Sequence, residues 1–179
     1  MKRAVFIERD ALLNLSFKGG QQRPPMTLQE FRLNEGASPS LERLKAAGFV
    51  LVATTNQPDV SRGTLSRREL DRMHDLMRAK LPLDEIMVCP HDEEDHCPCR
   101  KPRAGLFHEA AFKYHLLLGH SFVISNRWQD GEAARLIGST ALFIESPWLG
   151  RGHHDFAVRD FEAAAEKVLE RDRIFRKVA

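Results

Sequence analysis

The chain has 179 residues, 42% of them apolar and 29% charged, enough to bury a core without disulfides and outside the range of disordered or fibrous sequences. With 27 basic against 25 acidic residues the net charge is only +2, which excludes the broad basic field of a nucleic-acid or anionic-membrane binder. No apolar run approaches the length of a bilayer and no signal-peptide core opens the chain, so a cytoplasmic protein with no membrane partner is expected.

Ala4 to Ile7 is a short, partly β-branched apolar run that breaks into Glu8, Arg9 and Asp10, the pattern of a buried strand with polar residues at its carboxyl end. Leu15 to Gln29, with Gly19-Gly20 and Pro24-Pro25, reads as an excursion able to cover that edge. Ser38-Pro39-Ser40 offers cap and first-turn residues for a helix with Leu41, Leu44 and Ala47 on one face and Gly48 as its stop. Phe49 to Thr54 is a second buried strand. Ser66 with Glu69 reads as a capping box ahead of Leu70, Met73, Leu76 and Met77, the apolar stripe of the next helix. The alternation continues with a strand at Ile86 to Val88, a helix at Ala104 to Tyr114, a strand at Phe122 to Ile124, a helix at Gly131 to Ile137 and a strand at Ala141 to Ile144. A last helix, Phe161 to Arg173, has Ala163, Ala164, Val168 and Leu169 for packing. Such alternation predicts an α/β fold: a mostly parallel sheet with helices on both faces. Ligands then bind outside the carboxyl ends of the strands, so the residues just after each strand carry the chemistry.

The chain's three cysteines all lie between positions 89 and 99, in the run CPHDEEDHCPC. An odd number of thiols in a reducing compartment favours metal ligation over disulfides. Cys89, His91, Cys97 and Cys99 supply three thiolates and one imidazole, the closed tetrahedral set of a structural zinc site. His96 is a competing ligand; the short arms on either side make His91 the symmetric choice.

The strand ends, in order, are Glu8-Arg9-Asp10-Ala11-Leu12-Leu13-Asn14, then Thr54-Thr55-Asn56-Gln57 with Ser61-Arg62-Gly63, then Arg100-Lys101-Pro102, then Ser125-Asn126-Arg127-Trp128-Gln129-Asp130. Together they resemble the four ordered motifs of the haloacid dehalogenase superfamily. The cysteine loop just before Arg100 narrows the resemblance to the histidinol-phosphate and heptose-bisphosphate phosphatase branch, over about residues 4 to 145. The resemblance implies a Rossmann-like three-layer α/β sandwich with a zinc-loop insertion and a minimal cap domain or none, residues 1–179 forming one domain. It implies a magnesium-dependent phosphatase of a small phosphorylated metabolite, a sugar bisphosphate or histidinol phosphate, and a monomer is expected. By that resemblance Glu8 is the attacking carboxylate and Asp10 the general acid and base. Thr55 and Asn56 would grip the phosphoryl oxygens, Lys101 would neutralise them, and Arg100 could fork onto a second phosphate. Glu8, Asp10, Asn126 and Asp130 would hold magnesium.

Three residues depart from the family pattern. Glu8 stands where Asp is usual, Asn126 where a magnesium-binding acid is usual, and Ala11 where Gly is usual, which implies a backbone without positive φ at that point. Glu8 and Asn126 also admit a second expectation, a phosphate-binding relative with impaired turnover. The alternatives are that Thr55 and Asn56 are turn residues, that Lys101 is a solvated lysine, and that Asp130 caps the helix beginning near Gly131. Trp128 and Trp148 read as edge or packing residues, and His153-His154 as a solvent-facing pair.

Overall fold

The computed structural model describes residues 1–15, 17–18, 21–145 and 152–178. Six strands make one sheet in which every pairing is parallel: β1 (Ala4–Glu8), β4 (Val50–Asn56), β5 (Glu85–Cys89), β6 (Phe122–Ser125), β7 (Thr140–Ile144) and β8 (Phe156–Val158), in the order β5-β4-β1-β6-β7-β8. The two-residue strands β2 (Phe17–Lys18) and β3 (Gln21–Gln22) form a separate hairpin in the excursion after β1.

Alternation along β1 sorts the core into two layers, because successive side chains leave a strand on opposite faces. Val5 and Ile7 pack with α1 (Ser38–Ala46), α3 (Arg67–Lys80) and α6 (Phe161–Val178) through Leu41, Leu44, Leu70, Met73 and Val168. Ala4 and Phe6 pack with α4 (Gly105–Tyr114) and α5 (Trp128–Ile137) through Leu106, Phe107, Ala133 and Ala134. The result is a three-layer sandwich, and no described helix is long and apolar enough to cross a membrane.

Four local expectations are corrected. α1 begins at Ser38 itself, after a 3-10 turn at Glu35–Ala37, so its N-cap is Ala37 and no side chain caps it. Ser66 does cap α3 by accepting from Glu69 N at 3.1 Å, but the Glu69 carboxylate accepts from Leu28 N and Arg72 instead of closing a box. α5 starts at Trp128, which places Asp130 inside its first turn; Arg127 is the N-cap and Asp130 is not. In α6 the buried pair is Ala164 and Ala165, one residue on from the expected Ala163 and Ala164. Trp128 is half exposed at the start of α5, and Trp148 lies outside the described residues.

Candidate active site

The register brings the carboxyl ends of the central strands level: Glu8 pairs with Thr54, and Asn56 with Cys89. Around that edge lies a cleft of about 300 Å³ lined by Glu8, Asp10 and Lys101, with Arg62, Arg100 and Arg127 also on its walls. Pro24, from the excursion after β1, lines it too.

Glu8 and Asp10 are both buried, and each oxygen of each carboxylate is engaged. Glu8 Oε1 accepts from Asp10 N at 3.1 Å, and Glu8 Oε2 accepts from Lys101 Nζ. Asp10 Oδ1 accepts from Arg9 Nη2 at 2.8 Å and Nε at 3.2 Å, and its Oδ2 from Gln57 Nε2 at 2.9 Å and Thr55 Oγ1 at 3.2 Å. Their surroundings push the two carboxyl groups in opposite directions. Burial dominates at Glu8 and lifts its pKa to about 7 against the nearby Lys101 charge. Burial acts on Asp10 as well, but the charge and hydrogen bonds of Arg9 outweigh it and hold that carboxyl below its ordinary value.

Lys101 is 3% exposed, so the solvated reading of this side chain is excluded. Its Nζ donates to Asp130 Oδ1 at 2.7 Å and to Thr54 Oγ1 at 3.3 Å as well as to Glu8. Burial works against its charge, yet Asp130 and then Glu8 outweigh that and raise its pKa. The other oxygen of Asp130 accepts from Ser125 Oγ at 2.8 Å. Asn56, expected to face phosphate, bonds the Lys101 backbone at both ends: Nδ2 donates to the carbonyl at 3.0 Å and Oδ1 accepts from the amide at 3.1 Å. A primary amide can pair a peptide group in this way, and here it fixes the lysine relative to β4.

Ala11 has φ of 70°, which corrects the expectation that alanine there excludes the left-handed region. The turn after β1 requires that conformation whichever residue occupies it: Leu13 N and Asn14 N both return to Arg9 O, at 3.0 and 3.2 Å. An L-residue held there costs on the order of 1 kcal/mol.

Asn126 Oδ1 is buried and without a hydrogen-bond partner among the described residues. It is a hard oxygen just past the end of β6, the strand paired with β1, and together with the carboxylates that follow β1 it would make a donor set that fits a magnesium ion. Arg127 Nε is likewise buried without a hydrogen bond among the described residues, and makes a long ion pair with Glu8 Oε1 at 4.0 Å.

β5 ends directly in the cysteine loop. Cys89 Sγ, His91 Nδ1, Cys97 Sγ and Cys99 Sγ all lie within 4.8 Å of one another, a group that could hold a metal ion; His96 is not in it. The loop is braced by Arg62 on Asp92, Ser61 Oγ on Asp95 at 2.9 Å and Arg100 on Glu93 at 3.0 Å. Gly105 allows the loop to close on α4, since a Cβ there would stand 2.5 Å from Pro98 O.

No family model matches the chain. The D-glycero-beta-D-manno-heptose-1,7-bisphosphate 7-phosphatase of Haemophilus ducreyi is 30% identical over 149 residues, 76% of this chain and 79% of its own. The chain belongs to the heptose-bisphosphate phosphatase branch of the haloacid dehalogenase superfamily. It is, by that membership, a phosphoric monoester hydrolase. The Legionella pneumophila histidine biosynthesis bifunctional protein HisB is 32% identical over 149 residues, 80% of this chain but 42% of that protein. A crystal structure of D,D-heptose 1.7-bisphosphate phosphatase from B. bronchiseptica, complexed with magnesium and phosphate, shares the fold at TM-score 0.80 and 24% identity, covering 96% of this chain and 99% of that one.

Arg9, Gln57, Ser125 and Arg127 stand in the strand-end motifs with no role assigned from the sequence, and His74 was not among the expected site residues. The available signal was position: a basic residue between two acids after a buried strand has no solvent to enter, and Gln57 and Ser125 are each next to an assigned polar residue.

Proposed function

We propose that this chain is a magnesium-dependent phosphomonoesterase of a small metabolite, a sugar bisphosphate or histidinol phosphate, working slowly because Glu8 and Asn126 replace the usual acids. The carrying observation is the convergence of Glu8, Asp10, Lys101 and Asn126, all buried, at one end of β1, β4 and β6. An ionised Glu8 oxygen bonds to phosphorus as the ester P–O bond breaks, and Asp10, which must enter this step protonated, gives that proton to the leaving oxygen. Water then attacks the acyl-phosphate, Asp10 takes a proton from it, and the Glu8 carboxylate is released with inorganic phosphate. Arg9 favours the base half of that cycle, because it keeps Asp10 ionised, and opposes the acid half.

Glu8, Asp10 and Asn126 would hold magnesium, which when bound neutralises phosphoryl charge. Asp130 would complete that set; like those of Glu8 and Asp10, both its oxygens are engaged within the protein, by Lys101 and Ser125. Thr55 and Asn56 act through Asp10 and Lys101 rather than by gripping phosphate themselves. Arg100 remains the candidate for a second phosphate. Zinc fits Cys89, His91, Cys97 and Cys99 because three soft thiolates and an imidazole leave no open position for water, which makes the ion a brace for the loop that carries Arg100. Residues 1–179 would act as one catalytic unit, a monomer in the cytoplasm.

The second reading, a phosphate-binding protein with negligible turnover, is favoured by one observation: Lys101 already occupies the attacking carboxylate. Phosphate release from a panel of sugar bisphosphates and histidinol phosphate with added magnesium separates the two. Turnover that disappears in Glu8→Gln and Asp10→Asn supports the enzyme; binding without release in wild type overturns it.

A further inference from the structure

Behind Asp10 a polar chain runs into the apolar core. Arg9 is fully buried, and while its Nε and Nη2 reach Asp10, its Nη1 meets His74 Nε2 at 3.0 Å. His74 is 1% exposed and lies on α3 among the stripe residues Leu70, Met73 and Met77. That position on an amphipathic helix is ordinarily apolar, since it faces the core.

We propose that His74 is a positioning residue for phosphoryl transfer: it accepts an N–H of Arg9 and thereby fixes the guanidinium that orients Asp10. This rests on the phosphatase reading above. A guanidinium only donates, so His74 Nε2 must be the unprotonated, accepting nitrogen. The choice of an uncharged acceptor matters. A carboxylate at 74 would compete with Asp10 for the same cation, and an aliphatic side chain would leave a guanidinium N–H buried and unpaired. A neutral imidazole satisfies the third direction of Arg9 while leaving its charge to Asp10.

The surroundings keep the ring neutral. Burial is the main cause, Arg9 and Arg78 add to it, Asp10 opposes and Arg67 contributes least, and together they bring the His74 pKa down to about 3. The ring therefore keeps one role across the whole working range rather than acting as a switch.

The test uses the full chain and two variants, His74→Leu and His74→Gln, because glutamine restores a neutral acceptor where leucine restores only packing. The expected result is a fall in kcat of about tenfold for His74→Leu with KM within about twofold of wild type, and recovery of most of that loss in His74→Gln, as for sub-ångström misplacement of a reacting group. In parallel, the Arg9 Nε–H NMR signal should exchange with solvent slowly in wild type and His74→Gln and markedly faster in His74→Leu. Wild-type kcat in His74→Leu, or a His74→Gln protein that folds but is no better than His74→Leu, overturns the proposal. If wild type releases no phosphate from any ester, the phosphatase reading itself fails. The Arg9 exchange rates then decide whether His74 positions Arg9: faster exchange in His74→Leu supports it, and unchanged exchange refutes it.

Discussion

The cysteine loop and the carboxylate centre share one sheet edge and differ in what their donor atoms already hold. In the loop, four soft donors lie within 4.8 Å and meet mainly one another. At the carboxylate centre, by contrast, Arg9, Lys101, Thr55, Gln57 and Ser125 take up the oxygens of Glu8, Asp10 and Asp130, and Asn126 Oδ1 alone of these is unpartnered. A cation entering the loop replaces crowding with bonds, whereas one entering the carboxylate centre must compete with charges fixed in the protein. The same edge thus combines a donor set that would keep an ion with one that would hold an ion loosely.

The sharpest way to break that contrast is to remove a loop donor. If the loop holds zinc, Cys97→Ala should take zinc content from about one per chain to none and lower the melting temperature by on the order of 10 °C, because binding of a structural ion contributes folding energy. Elemental analysis and a thermal melt check it; a variant with full zinc or an unchanged melt would mean that the loop is not a brace.

A smaller effect is expected from Glu8→Gln, read as stability against pH. A carboxyl whose pKa rises from 4.5 unfolded to about 7 folded binds more protons when folded, so wild type loses stability as pH climbs through that window. The displacement corresponds to on the order of 3 kcal/mol at most. Glutamine does not titrate, so the variant's stability relative to wild type should increase between pH 4 and pH 8. Denaturant unfolding at the two pH values measures it, and a flat difference would show that Lys101 fully compensates the burial of Glu8.

The two regions were also unequally legible in the sequence. The loop could be read from spacing alone, because short arms around two pairs of ligands leave few ways to close a four-donor shell. β1 was legible too, since an apolar run ending in acids has one plausible burial pattern. β8 was not: Phe156–Val158 is three residues long, partly exposed, and sits at the sheet edge with little hydrophobic signature. Asp130 was read as a possible cap because Gly131 looked like a helix start, whereas the helix takes in Trp128 and Gln129 as well. Ala11 hid its backbone, as only the returning hydrogen bonds to Arg9 O reveal that the turn forces a positive φ. His74 was invisible for a different reason: its partner is one residue from Asp10 in sequence but 65 residues away from it, and no local pattern reports that contact.

Restoring both acids shows whether Glu8 and Asn126 are what slow turnover at the carboxylate centre. Asp at position 8 shortens the attacking arm by a methylene, and a misplacement on the order of 1 Å is able to cost about a hundredfold. Asp at 126 returns a negative charge to a hard-cation site, and since the two defects share one centre their repair should be more than multiplicative. Steady-state phosphate release with saturating magnesium, comparing wild type, Glu8→Asp, Asn126→Asp and the double variant, is the measurement. The double variant should be at least about tenfold faster than wild type and faster than the product of the single effects. Wild type turning over at about 1 per second or more, with the double variant slower, would contradict it and identify Glu8 as a fully competent nucleophile.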